Sequence, residues 1–158
     1  MARSYTEQMQ RIVNVYREEG GKWPTTARAI AYWAIENGYW RPQPSTIVNQ
    51  CAELLSRAMR EEYITDPQGR KVRAKHAARI DQEGEQLVLW ADIRTASRSY
   101  METAFKQRRN QIVSDCYQLK TDVDSFNENR SADRPIQMVF DFTYDLEELG
   151  GLDSVADD

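Results

Sequence analysis

From Glu85 to Asp133 the chain contains neither glycine nor proline. A run of that length with no breaker must hold a long helix. The spacing predicts one from Ser97 to about Asn127. Phe105, Ile112, Leu119 and Phe126 recur every seven residues, and Cys116 and Val123 fall between them at the partner heptad position. Arg109 breaks that second row. The pattern is a partial coiled-coil seam. At about 1.5 Å per residue the helix would span roughly 45 Å, more than a compact domain of this size needs. Two arrangements are open: the seam pairs two copies of the chain, or it folds back as intramolecular core. A homodimer through Phe105, Ile112, Cys116, Leu119, Val123 and Phe126 is the expectation for the first.

A second constraint lies at Tyr63–Arg79, which reads YITDPQGRKVRAKHAAR. Tyr63-Ile64-Thr65 suits a strand. Asp66-Pro67-Gln68-Gly69 is a turn, with proline favoured early and glycine supplying positive φ. Arg70 to His76 alternates, Val72, Ala74 and His76 on one side and Lys71, Arg73 and Lys75 on the other, as a strand does. No acid interrupts the five cations between Arg70 and Arg79. The charge of the whole chain, −4 over 158 residues, conceals an asymmetry. Residues 1–80 hold 13 Lys/Arg and 8 Asp/Glu, a net of +5, whereas residues 81–158 hold 8 and 17, a net of −9. A basic half joined to an acidic half hints at a polyanion-binding module. The acidic half opposes indiscriminate approach to nucleic acid.

Before the hairpin, three helices are expected. Ser4 caps the first, to Glu19, with Met9, Ile12, Val13 and Tyr16 as its apolar stripe. Thr25 or Thr26 caps the second, to about Asn37, with Ala27, Ile30, Ala31, Ala34 and Ile35 as its face and Gly38 at its end. The prolines of Tyr39–Pro44 exclude helix there. Ser45 caps the third, to about Glu62. Its Ile47, Val48, Cys51, Leu54, Leu55, Ala58 and Met59 are expected to face inward, leaving Thr46, Asn49, Gln50, Glu53, Arg57 and Arg60 outward.

Three helices followed by a glycine-turn hairpin rich in cations resemble the winged helix-turn-helix superfamily, over residues 4–80. The part from Trp23 to Arg79 is similar to bacterial proteins of uncharacterised role. The connection Gly38–Pro44 is longer than the three or four residues usual between the helices of such a motif. The resemblance implies that Ser45–Arg60 is a recognition helix. Thr46, Asn49 and Gln50 would then meet base edges, since Asn and Gln pair bidentately with adenine. Arg57 and Arg60 would lie near the backbone, and Arg70, Lys71, Arg73 and Lys75 would take phosphates.

The fold class expected is mainly α with a small β component: a winged-helix domain at 1–80, a connector at 81–94, a long helix and short strand at 95–149, and an acidic mobile tail at 150–158. Pro135 to Phe142 alternates and reads as a short strand able to pair with Leu87–Trp90. Tyr144 to Leu149 reads as a helical turn.

Little in the chain points to catalysis. Gly20-Gly21-Lys22 lacks the spacing of a phosphate loop. Asp122 and Asp124 lie two apart on a helix, so their carboxylates point to different faces. Asp141 and Asp145 form only a loose pair. His76, the single histidine, reads as packing or a phosphate donor. Cys51 and Cys116 with one His do not make a zinc site, which needs about four ligands, and they read as free thiols. No cofactor and no metal are expected. With no apolar run of about 18 residues and no apolar leader at the N-terminus, the expectation is a cytoplasmic protein without a membrane span. The glycosylation pattern Asn129-Arg130-Ser131 reads as chance.

Two functions from different classes remain. The first is a non-enzymatic protein that binds double-stranded DNA, a dimeric regulator or an accessory of replication or mobile elements. The second is an adaptor that uses the fold for a protein partner. Gln86–Trp90 and Gln137–Phe140 motivate it as short Gln-plus-hydrophobic segments similar to peptides that bind bacterial sliding clamps.

Overall fold

The computed structural model describes residues 4–130 and 133–155. It is mainly helical, with two small antiparallel hairpins. The chain divides into two compact units, Met1–Ala58 and Met59–Asp158.

In the first unit, α1 runs Tyr5–Glu18 behind a capping box. Ser4 Oγ accepts the Glu7 amide at 3.1 Å and the Glu7 carboxylate accepts the Ser4 amide at 2.8 Å, so two end amides are satisfied at once. Helix α2 runs Ala27–Glu36, with Thr26 Oγ1 accepting the Ala29 amide. The two helices meet through Ile12, Tyr16 and Ala34, all buried. The Tyr16 ring sits edge-on to Trp33 at 5.4 Å, and Trp33 stacks on Tyr39 at 4.9 Å. The Tyr16 hydroxyl donates to the Lys22 carbonyl at 3.0 Å, drawing the loop after α1 over the ring.

Helix α3 spans Pro44–Arg60. It starts one residue before the expected cap, with proline where a missing N–H costs nothing. Its apolar stripe does not face inward. Ile47, Val48, Leu54 and Leu55 are between 58% and 70% exposed, Cys51 and Ala58 are exposed as well, and only Met59 is half-buried. Periodicity reports which residues share a face, and here that face is left exposed.

In the second unit, β1 (Tyr63–Thr65) pairs with β2 (Lys71–Arg73), Tyr63 opposite Arg73 and Thr65 opposite Lys71. The Asp66 carboxylate accepts from the Gln68 and Arg70 amides and orders the turn. After Ala74 the chain enters β3 (Lys75–Gln82), which pairs with β4 (Glu85–Asp92). The expected connector at 81–94 is therefore mostly the second half of a hairpin. Its two-residue turn has positive φ at both Glu83 (52°) and Gly84 (82°), the geometry whose twist suits paired strands.

Helix α4 spans Arg98–Arg130, 33 residues. Its first turns pack on β3 through small residues: Ala74, Ala78 and Ala104 are buried with Met101 and His76. The His76 ring meets Phe105 edge-on at 5.4 Å and its Nε2 lies 2.9 Å from the Arg73 carbonyl, a packing role. The Tyr100 hydroxyl is shared between the carbonyls of His76 (2.8 Å) and Leu89 (2.6 Å), one on each strand.

Beyond α4 the expected strand does not form. Pro135–Phe140 has no ladder partner, because Leu87–Trp90 is already paired with β3. Instead the Asn127 side chain brackets Ile136, donating to its carbonyl and accepting its amide, both at 2.9 Å. Helix α5 then runs Thr143–Val155, so the turn expected at Tyr144–Leu149 extends through Gly150 and Gly151 into the segment read as a mobile tail. Ser131 and residues 156–158 lie outside the described residues.

Candidate nucleic-acid interface

The cations singled out in the sequence separate into two groups. Arg70 and Lys75 are occupied. Arg70 Nε lies 2.7 Å from Asp66 within its own turn. Lys75 Nζ lies 3.0 Å from Glu62 and 3.5 Å from Asp92. The Glu62 hydrogen bond is the largest cause of the rise in the Lys75 pKa.

Lys71, Arg73, Arg79 and Arg108 make no ion pair among the described residues. Lys71 and Arg73 lie on one face of β2, with Tyr63 and Thr65 beside them across the hairpin. Arg108 lies on α4, the helix that packs on β3. Partial burial lowers its pKa first, the charge of Arg73 lowers it further, and Tyr63 acts the other way. Arg73 and Arg108 thus bear on each other electrostatically, neither makes an ion pair among the described residues, and Tyr63, opposite Arg73 in the hairpin, is half-exposed. Lys106 and Arg109 flank Arg108 on exposed helix.

Arg108 escaped the sequence reading because attention to the heptad row isolates Phe105 and Ile112. The buried row of α4 is Met101 and Ala104, and Arg108 follows four residues later on the same helix face, exposed.

The α3 residues behave otherwise. Thr46, Asn49 and Gln50 line a cleft of about 950 Å³ with Tyr5, Tyr39 and Trp40, inside the first unit. Asn49 and Gln50 are exposed there. Thr46 is half-buried, while Arg57 and Arg60 are exposed. A second, apolar groove of about 650 Å³ runs between α1 and α2, lined by Met9, Val13, Ile30 and Ile35 among others.

The expected seam residues all lie on α4. Phe105, Ile112, Leu119 and Phe126 are 43% to 51% exposed, and Cys116 and Val123 are half-buried. Among the described residues no group of three or more His, Cys, Asp or Glu is placed to hold a metal ion. Among the same residues no helix is long and apolar enough to cross a membrane. No protein-family model, no curated protein and no solved structure matches the chain.

Proposed function

We propose that this chain is a non-enzymatic DNA-binding protein of winged-helix type that docks on duplex phosphates through Lys71, Arg73 and Arg108. The observation that supports it is that Lys71 and Arg73 share one face of β2 and that neither they nor Arg108 make an ion pair among the described residues. Cations without a carboxylate partner are free to form charge-assisted hydrogen bonds to phosphate. Phosphate contacts of this kind fix position on the duplex and leave sequence choice to other groups. Arg57 and Arg60 on α3 are further phosphate candidates.

The test is fluorescence anisotropy on short duplexes across a salt series, with wild type and a Lys71/Arg73/Arg108→Ala variant. Salt-sensitive binding that the variant loses is the expected result. Absence of binding by wild type at low salt would sink the proposal.

An adaptor role is the second reading, favoured by one observation. Gln137–Phe140 is extended without a ladder partner, with Met138 and Val139 50% and 79% exposed. Gln86–Trp90 is locked in the β3–β4 ladder and does not present a free peptide. A pull-down that depends on Met138 and Val139 would support this reading.

A further inference from the structure

We propose that two copies of this chain pair through α4 in antiparallel orientation, which sets their cationic hairpins at opposite ends of a shared coiled coil. The geometry stands apart from the DNA-docking reading; only its consequence for duplex spacing rests on it.

The uncovered length of α4 offers an apolar row to a partner, and a standard interface needs only about 800 Å² from each copy. The sheet covers only the first turns of the helix, and the heptad row from Phe105 to Phe126 is left half-exposed along its length.

Charge chooses the orientation. Between Arg98 and Val113 the helix carries Arg98, Lys106, Arg108 and Arg109 against Glu102 alone. Between Ser114 and Arg130 it carries Asp115, Asp122, Asp124 and Glu128 against Lys120 and Arg130. Side-by-side parallel pairing lays cations on cations and acids on acids. Antiparallel pairing lays the basic half of each copy along the acidic half of the other.

Antiparallel coiled coils match the two seam rows against each other. One register places Phe105 against the partner's Val123, Ile112 against the partner's Cys116, and Lys106 against the partner's Asp122. Its two-fold axis passes near Ser114. At about 1.5 Å per residue, the segments of α4 that carry the two hairpins, near Ala104, then lie about 30 Å apart. One turn of duplex is about 34 Å, so both hairpins would face the same side of the DNA one turn apart.

The test is a distance measurement on the full chain without DNA. Cys51→Ser and Cys116→Ala remove the native thiols, and Ser99→Cys carries a spin label near the start of α4. Light scattering gives the mass of the labelled species. The expected result is a dimer with a label separation of about 45 Å, from the helix rise. A separation within about 20 Å, as parallel helices give, or a monomer at high micromolar concentration would overturn the proposal. Intact geometry with no affinity for duplex DNA would overturn the docking reading and leave the pairing in place.

Discussion

Gln107 completes the open edge of β3 at Arg79. Its amide donates to the Arg79 carbonyl at 2.9 Å and accepts the Arg79 amide at 2.7 Å, as a neighbouring strand would. Removing it leaves both backbone groups to water on a sheet edge, at a cost of about 1 kcal/mol. Gln107→Ala should therefore destabilise the second unit modestly and speed amide hydrogen exchange at Arg79 above all other positions. Unchanged exchange at Arg79 would contradict the assignment.

Gly21 is held against an aromatic ring. A Cβ placed there would meet Tyr16 Cε1 and Cζ at 2.5 Å, with no room to yield because the ring also touches Trp33. Gly21→Ala should cost about 1–3 kcal/mol through forced repacking. A urea midpoint equal to wild type would contradict it. Gly20→Ala tests a different cause, since Gly20 has open space but a φ of 83°.

The ion pairs sort the basic strand. Arg70→Ala and Lys75→Ala should change duplex affinity little, because both cations already face carboxylates. The Lys71/Arg73/Arg108→Ala variant should reduce the slope of log affinity against log salt by up to about 3, close to one unit per lost phosphate contact. Equal slopes for the two sets of variants would place the contact elsewhere.

Acid should loosen the second unit. Hydrogen bonds from Arg94 hold the Asp92 carboxyl far below its ordinary range, with Lys75 helping, and the Arg70 amide lowers Asp66. A carboxylate with a depressed folded pKa stabilises the fold above its unfolded value, about 3.9, and that contribution is lost as pH falls toward the folded value. The stability gap between wild type and Asp92→Asn should therefore be widest near neutrality and close below about pH 4. A gap independent of pH, measured by denaturant titration, would contradict this origin.

Local chemistry made several elements legible. The lack of Gly and Pro and the recurrence of Phe105, Ile112, Leu119 and Phe126 marked α4, which ends at Arg130, three residues beyond expectation. Ser4 and Thr26 marked two helix starts, and Asp66–Gly69 marked a turn. The β3–β4 hairpin was hidden because its turn is Glu-Gly, a weaker signal than Asn-Gly, with Glu83 itself at positive φ. The length of α5 was hidden because Gly150 and Gly151 argue against a helix that nonetheless continues through them. What a periodic face packs against is not a local property. The apolar stripe of α3 was identified correctly as a stripe, yet it remains exposed. The candidate site was half-readable for the same reason: Lys71 and Arg73 stand on a recognisable strand, whereas Arg108 lies on a helix whose packing on β3 is not a local property.

Arg109 sits in the otherwise apolar second row of α4, exposed. A row of interchangeable apolar layers would let two helices slip past one another by seven residues with little loss, leaving a family of nearly equal pairings. In the proposed pairing one guanidinium would end that degeneracy, since each slipped alignment would set its charge against a different layer. The residue that weakens such a seam would thus be the one that tells one alignment from the next, with affinity exchanged for a single answer.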